Sequence, residues 1–439
     1  MDKGARIASA AAQRERQLQT DDDFDIGGNG DRHASAAGQG SAPRHAILPL
    51  SHPDQIRMMR TTNKTPLTPL PRTERNTTMK LGVFMMPSHP PERDFYAGHQ
   101  WDLEHLELID KLGFDEAWIG EHFTAPWEPN PAPDLLIAQA LLKTERIKLA
   151  PGAHLLPYHH PVELAHRVAF LDHMAQGRFM LGVGSSGLPS DWKLFNVDGF
   201  DGEHRRMTRE ALDIMIRIWE SEEPFEFKGE YWSVNYIDTM LDNFKMHIKP
   251  YQKPYPPIGI AGVTPGSDTL KIAGENGFMP MSLNISSTYL ATHWDAVREG
   301  AEKAGREARR SDWRVVREVY IADTDAEARK KAADGMLGRA YREYLLPLFG
   351  SFQFTDYFKH DPNIPDSDVT PEYLVDHGWL VGSPKTVTEK LGQMYEDAGG
   401  FGSLLVLTFD HLDDHEGWAN SQRLLVEEVM PHFADLQPD

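Results

Sequence analysis

Histidine and carboxylate side chains recur where short apolar segments of this chain end. Glu121 and His122 follow the segment EAWIG, and His154 follows IKLAPGA. A histidine with a pKa near neutral can take up and return a proton, and histidine–carboxylate groups also bind metal ions. The pattern therefore leaves acid–base catalysis at His122 and a metal-dependent hydrolase as alternatives. The further candidate metal ligands are His159, His160, Asp410, His411 and His415.

A glycine-rich segment, LGVGSSG at residues 181–187, has the G-x-G-x-x-G spacing of a dinucleotide-binding turn. In a Rossmann domain this turn follows the first strand, and an acidic residue ends the next strand. Here it follows the fourth apolar segment, and residues 188–205 contain no helix and strand that lead to such an acid. We interpret the glycines as a place where backbone approaches a flat ligand, with an ordinary tight turn as the alternative.

A second loop, GVTPGSDTL, has the residue types of a phosphate-binding turn. Thr264, Gly266, Ser267 and Thr269 open a predicted helix, and the dipole and N–H groups of a helix N-terminus favour an anion. A helix N-cap at Ser267 explains the same residues equally well.

Apolar side chains also occur close to the candidate site residues. They are Phe84, Met85, Met86 and Trp127, and they suggest a hydrophobic substrate. Packing in the core accounts for them equally well.

Eight short apolar segments, separated by helical patterns, must position these groups. Because the segments are apolar throughout, they predict a parallel sheet, and eight such units close into an α/β (β/α)8 TIM barrel with insertions. Functional residues of such a barrel follow the carboxyl ends of the strands. A helix is predicted over residues 101–113, and Gly113, Gly277 and Gly400 are predicted to end three helices. The strands are predicted at 80–85, 116–120, 146–153, 178–183, 257–261, 278–282, 315–322 and 403–409.

Composition excludes several functional classes. The 439 residues include no cysteine, which excludes thiol nucleophiles, disulfides and thiolate metal sites. The net charge of −21 argues against nucleic acid or an anionic membrane as a partner. No apolar run has the length of a membrane span, and we expect a cytoplasmic protein.

The first 78 residues differ in composition from the rest. Residues 1–78 are rich in Ala, Gly, Ser, Thr, Pro and Arg and show no sustained periodicity, which predicts a disordered N-terminal extension or sequence upstream of the natural start. An organellar transit peptide is the alternative, and the acidic TDDDFD patch argues against it. From Met79 the sequence MKLGVFMM begins a single predicted domain, residues 79–439.

Four segments together resemble the bacterial luciferase-like, flavin-dependent monooxygenase family, and especially its limonene-monooxygenase-like members. They are MKLGVFMMP, LGFDEAWIGEHF, LPYHHPVELAHRVAFLDHMAQGRFMLGVG and VGSPKTVTEKL, so the resemblance extends from about Met79 to the C-terminus. It implies a TIM barrel that uses reduced FMN and O2, through a C4a-hydroperoxyflavin, to oxygenate a small apolar substrate. It also implies a separate NAD(P)H:flavin reductase as the electron source, and a homodimer or heterodimer, of which we expect the homodimer.

The resemblance also implies roles for individual residues. His122 matches the catalytic histidine beside the flavin. Gly152 and Ala153 match a bulge with a non-proline cis peptide beneath the flavin ring, and Gly184 and Ser185 match a loop at the phosphate and ring edge. The remaining implied flavin contacts are Thr264, Gly266, Thr269 and Ser282, and about residues 340–380 match a mobile lid.

Two other functions stay open at this point. Luciferase has an arginine where this chain has Ser185, so the cofactor is either FMN or F420. An F420- or flavin-dependent hydride-transfer oxidoreductase on the same barrel is the main alternative. A metal-dependent TIM-barrel hydrolase is the weaker one, because no H-x-H pair follows the first predicted strand; we predict no metal site.

Overall fold

The computed structural model describes residues 79–439, apart from 238–239, 241–243, 437 and 439. The predicted extension, residues 1–78, lies outside the described residues. The strands are β1 (Lys80–Met85), β2 (Glu116–Ile119), β3 (Lys148–Pro151), β4 (His154–Leu155), β5 (Leu181–Gly184), β6 (Phe225–Lys228), β7 (Ser233–Tyr236), β8 (Ile258–Gly262), β9 (Met279–Ser282), β10 (Arg314–Ile321), β11 (Leu380–Gly382) and β12 (Ser403–Thr408).

Eight strand positions form a parallel barrel. The strand order is β3-β2-β1-β12-β10-β9-β8-β5-β4, and each neighbouring pair is parallel. Strands β3 and β4 are two parts of one position, interrupted at Gly152 and Ala153. A bridge between Leu149 and Phe179 brings β3 beside the segment that leads into β5, which closes the ring. The predicted (β/α)8 barrel is therefore confirmed.

Alternate strand residues point into the barrel. A side-chain carbon added to Gly259 of β8 would lie 2.7 Å from the ring of Trp118 on β2, so these two positions face each other across the interior. Phe84 is in register with Trp118 and shares this inner face. Met85 is in register with Ile119 and lies on the opposite face, toward the helices.

Helices surround the barrel and connect its strands. The helix predicted over residues 101–113 overlaps α1 (Phe95–Leu112), whose buried face includes Leu106 and Ile109. Gly113 and Gly277 end two helices with φ of 89° and 70°, a conformation that favours glycine, while Gly399 ends the third helix one residue before the predicted position. None of the described helices has the length and apolarity needed to cross a membrane. The helices are α1 (Phe95–Leu112), α2 (Pro133–Ala140), α3 (Pro161–Ala175), α4 (Pro189–Leu194), α5 (Glu203–Glu220), α6 (Asp268–Asn276), α7 (Leu290–Lys303), α8 (Asp325–Asp334), α9 (Met336–Ala340), α10 (Leu346–Ser351), α11 (Pro371–His377), α12 (Pro384–Ala398) and α13 (His415–Leu424).

Three features lie outside the predicted eight units. Strands β6 and β7 form an antiparallel hairpin after α5, and β11 extends the sheet by pairing with β10. The segment predicted as a lid, residues 340–380, contains a π-helical turn at Tyr341–Leu345 followed by α10 and α11. Its mobility stays a prediction.

Candidate active site

His122 follows β2 at the mouth of the barrel and lies between two acidic side chains. Its Nε2 atom is 3.2 Å from Oε2 of Glu128, and its Nδ1 atom is 3.6 Å from Oδ2 of Asp191. The hydroxyl of Thr124 donates to Asp191, and the hydroxyl of Tyr344 donates to Glu128 at 2.9 Å. Burial opposes protonation of His122, but the charges of Glu128 and Asp191 outweigh it and raise the pKa of the imidazole. This arrangement suits a group that holds and releases a proton.

The turn between β3 and β4 brings two predicted cofactor-binding segments together. Its Gly152–Ala153 peptide bond is cis. A Cβ atom on Gly184 would lie 3.2 Å from that of Ala153, so the turn and the end of β5 are in contact. A side chain on Gly182 would collide with the carbonyl oxygen of Pro151. The first glycine of the G-x-G-x-x-G motif is therefore required by close approach of two strands.

The predicted phosphate loop connects β8 to α6. Ser267 precedes the helix, but its side chain makes no capping hydrogen bond. Its Oγ atom lies 2.8 Å from Oγ1 of Thr269, which donates to the carbonyl oxygen of Ala261 at 2.7 Å. Within the described part of the chain, no atom outside residues 265–267 lies within 4 Å of a Cβ placed on Gly266. The helix N-terminus therefore has open space beside it, where an anion would be favoured.

Ser282 lies behind the barrel wall. Its fully buried hydroxyl accepts from Nε1 of Trp313 at 2.8 Å and lies 2.9 Å from Nδ1 of His293. Nε2 of His293 donates to the carbonyl oxygen of Thr264 at 3.0 Å, because a carbonyl oxygen only accepts. Burial lowers the pKa of His293 to about 4, so the ring is neutral at pH 7. Contrary to the expected flavin-ring contact, Ser282 therefore faces away from the mouth and supports Thr264 through His293.

The four predicted substrate-pocket residues occupy different environments. Phe84 faces the barrel interior, and Met86 is half-buried just beyond the end of the same strand. The ring of Trp127 stacks on Tyr344 from the predicted lid, with centroids 6.3 Å apart. Met85 is fully buried among the strands and helices because alternation turns it away from the interior. The prediction that Met85 lines the pocket is therefore wrong.

A cavity of about 470 Å³ lies beside the site, between the loops that follow β1 and β2 and the start of α1. Phe123 and Thr124, which come directly after His122, line it. None of the four predicted substrate residues does so. Its volume suits a small organic ligand.

Glu121 forms a buried cluster with two of the histidines that suggested a metal site. Its Oε2 atom is 2.8 Å from Nδ1 of His154, and its Oε1 atom is 2.7 Å from Nε2 of His159. Burial opposes ionisation of Glu121, but hydrogen bonds from the two rings outweigh it and lower the pKa of the carboxyl to about 2. The potential ligand atoms of these three residues all lie within 4.8 Å of one another.

The position of Arg167 argues against a metal in this cluster. Nη2 of Arg167 lies 3.3 Å from Nδ1 of His159. Because a guanidinium only donates, Nδ1 accepts, and the proton of a neutral His159 ring is on Nε2. A metal ion would need the lone pair of that same Nε2 atom. The geometry therefore fits hydrogen bonds to Glu121 better than metal coordination.

The other histidines of the metal hypothesis make separate contacts. His160 directly precedes α3 and accepts from a backbone N–H of the first turn of that helix at 3.3 Å. His415 lies 3.3 Å from Asp410, and His411 stacks on Trp418 with centroids 4.3 Å apart. In the regions that the structure describes, these residues and the Glu121 cluster do not form one ligand set.

Comparison with known proteins shows similarity over most of the described residues. Residues 79–401 match the family model described as luciferase-like monooxygenase. The 3,6-diketocamphane 1,6-monooxygenase of Pseudomonas putida is 35% identical over 370 residues, covering 80% of this chain and 98% of the relative. Limonene 1,2-monooxygenase of Rhodococcus erythropolis is 32% identical over 371 residues, covering 81% of this chain and 87% of the relative.

One solved structure has a comparable sequence identity to this chain. It is described as a type II Baeyer-Villiger monooxygenase, the oxygenating constituent of 3,6-diketocamphane monooxygenase from Pseudomonas putida, in complex with FMN. It is 36% identical to this chain, with a TM-score of 0.76, and the match covers 81% of this chain and 98% of that structure.

Proposed function

This chain belongs to the luciferase-like monooxygenase family, and on that premise we propose that it uses reduced FMN and O2 to oxygenate a small apolar compound. The observation that carries the proposal is the placement of His122. It lies at the barrel mouth between Glu128 and Asp191, close to a cavity of about 470 Å³. Phe123, the residue directly after His122, lines that cavity.

The residues present fit an FMN molecule. The loop at Gly266 has room beside a helix N-terminus for the phosphate, and the turn at Gly152 and Ala153 meets Gly184 where a flat ring would lie. When bound, reduced FMN supplies the electrons that activate O2. The FMN complex of a relative 36% identical to this chain favours FMN over F420. The residues proposed to hold the cofactor are Gly152, Ala153, Gly184, Ser185, Thr264, Gly266 and Thr269.

His122 would move the proton that oxygen transfer requires. Glu128 and Asp191 flank its two ring nitrogens, so their charges stabilise the protonated form of the ring. Trp127 and Tyr344 stack beside Glu128 and limit the access of water. Water exclusion protects a reactive oxygen species from unproductive loss as H2O2.

We also propose a separate flavin reductase and a homodimer. The FMN-bound relative is described as an oxygenating constituent, which supports a separate source of reduced flavin. Large apolar side chains are exposed on α1, α2 and α3 and in the turn after α2, which supports self-association. These side chains are Phe95, Tyr96, Leu135, Leu142, Phe170 and Met174. Sedimentation velocity over a range of protein concentrations measures the oligomeric state.

Turnover with isotopically labelled O2 tests the proposed function. The protein is supplied with FMN, NADH and a flavin reductase, and 3,6-diketocamphane and limonene serve as probes. We expect a product that carries one labelled oxygen atom and forms only when FMN is present. Conversion of either probe without O2, or reduction of F420, would instead support hydride transfer. Oxidation of reduced FMN with H2O2 as the sole product would count against oxygenation of these compounds.

A further inference from the structure

Glu121 and His122 are consecutive, but their side chains contact different parts of the molecule. His122 contacts Glu128 and Asp191 at the mouth. The Glu121 carboxylate is fully buried and accepts hydrogen bonds from His154 and His159. Neither ring belongs to the predicted flavin or substrate contacts. The negative charge of Glu121 is the smallest of the interactions that raise the pKa of His122.

Each ring of the cluster anchors a different segment. His154 directly follows Ala153, so it fixes the end of the Gly152–Ala153 turn. His159 lies two residues before α3, which begins at Pro161. Through one carboxylate, the end of β2 is therefore tied to the turn beneath the proposed flavin site and to the helix behind it.

We infer that Glu121 is a positioning residue that sets the spacing between His122 and the Gly152–Ala153 turn. The inference rests on the proposed function, because it takes these two groups to act on bound flavin. An error of about 1 Å in such spacing can lower a reaction rate by roughly 10²-fold. A carboxylate is suited to this role because its two oxygens accept separately from two donors.

The proton positions in the cluster predict what a glutamine would do in place of Glu121. Arg167 fixes the proton of a neutral His159 on Nε2, so the carbonyl oxygen of a glutamine would accept from it. The position of the proton on His154 is less constrained, because the Nε2 atom of this ring has no hydrogen-bond partner among the described residues. Its proton can move to Nε2, and Nδ1 can then accept from the glutamine amide. Glu121→Gln therefore keeps both hydrogen bonds, and Glu121→Ala removes both.

Three variants test the inference: Glu121→Ala, Glu121→Gln and the control Glu163→Ala. Glu163 is an exposed carboxylate that pairs with Arg167 at 3.2 Å but contacts neither ring of the cluster. For each variant we would measure the visible circular dichroism of bound FMN and the H2O2 released per reduced FMN oxidised. For Glu121→Ala we expect altered dichroism and a fall in coupled oxygenation of about 10- to 10²-fold. Glu121→Gln and Glu163→Ala should resemble the wild type in both.

Several outcomes would overturn the inference. One is a Glu121→Ala protein whose FMN dichroism and coupling match the wild type. Another is a Glu121→Gln protein whose FMN dichroism and coupling are as impaired as those of Glu121→Ala. The charge of Glu121, rather than its hydrogen bonds, would then determine the effect. A stoichiometric metal ion in the purified wild type, lost in Glu121→Ala, would show a metal site instead. Failure of the wild type itself to bind FMN would contradict the proposed function and is thereby distinguished from these results.

Discussion

The two sides of the barrel mouth are held by different kinds of interaction. On the His122 side, defined by His122 with Glu128 and Asp191, the contacts join ionisable groups. On the Thr264 side, defined by Thr264 and His293 with the groups that His293 contacts, the hydrogen bonds join neutral groups. The difference matches the proposed roles: charged groups surround the histidine proposed to move a proton, whereas the loop proposed to bind the cofactor is supported by neutral groups.

The two histidines show how the surroundings produce this difference. Burial without an acidic hydrogen-bond partner lowers the pKa of His293 to about 4. Burial also acts on His122, but the charges of Glu128 and Asp191 outweigh it and raise the pKa. The same side chain is therefore a fixed hydrogen-bonding group on one side and a titrating group on the other.

The largest expected effect is that of His122→Ala. Product formation should fall by about 10²–10⁴-fold, the usual loss for a positioned acid or base. H2O2 released per reduced FMN oxidised should rise, and both quantities can be measured in one coupled assay. His122→Asn is the control, because it keeps a donor and an acceptor. Near-full product yield from both variants would remove His122 from the mechanism.

A smaller effect is expected for His293→Ala, which should act on stability. Loss of the ring leaves buried polar partners unsatisfied, at a cost of about 1–3 kcal/mol. Since the folded pKa is about 4 and the ordinary value is 6.5, His293 contributes stability that is present above pH 6.5 and lost as pH falls toward 4. Urea unfolding at several pH values should show a shallower acid loss in His293→Ala than in the wild type.

Ser282→Ala is the control for that experiment, because it removes the hydroxyl beside His293 and keeps the ring. We expect it to retain the acid sensitivity of the wild type. If the free energy of unfolding depended on pH in the same way in the wild type and in His293→Ala, the neutral, buried state of this histidine would be contradicted.

The smallest expected effect is a shift in pH dependence caused by Glu128→Gln. The negative charge of Glu128 is one of the interactions that raise the pKa of His122, so its removal should lower that pKa. In a plot of coupled oxygenation against pH, the acidic limb should then move to lower pH. The control Glu163→Gln should leave this limb in place. A limb that stays fixed, or that moves to higher pH, would show that a different group titrates.

The barrel and the His122 side could be predicted from the sequence to different extents. Buried parallel strands are apolar throughout, and this pattern located the barrel strands. The hairpin of β6 and β7 was missed because its short strands are only half-buried. Met85 was misassigned although strand alternation contains the necessary signal, since Phe84 and Met86 share one face of β1 and its end.

The partners of His122 could not have been found in the same way. Glu128 lies in the same loop as His122 but has no spacing that marks it as a partner, and Asp191 is distant in sequence, so only the folded barrel brings it to His122. His293 lies within α7, where a buried histidine has no spacing that identifies its partners. Hydrogen-bond networks of this kind depend on tertiary contacts that a linear pattern does not contain.

We propose a division of roles between the two sides: the Thr264 side binds the cofactor, and the His122 side performs the chemistry. Gly266→Asp places a negative charge at the proposed phosphate site, and Gly266→Asn is its uncharged control. Gly266 has a φ of 62°, a conformation that Asn and Asp tolerate better than most residues. The two variants therefore differ mainly in charge.

The most direct test measures reduced-FMN affinity and coupled oxygenation together in His122→Ala, Gly266→Asp and Gly266→Asn. We predict that Gly266→Asp weakens FMN binding by about tenfold or more relative to Gly266→Asn, about 1.4 kcal/mol, yet keeps normal coupling at saturating FMN. His122→Ala should bind reduced FMN like the wild type and lose coupling. Loss of both FMN affinity and coupling in His122→Ala and in Gly266→Asp would contradict the division between the two sides. Unchanged FMN binding in Gly266→Asp would contradict it as well.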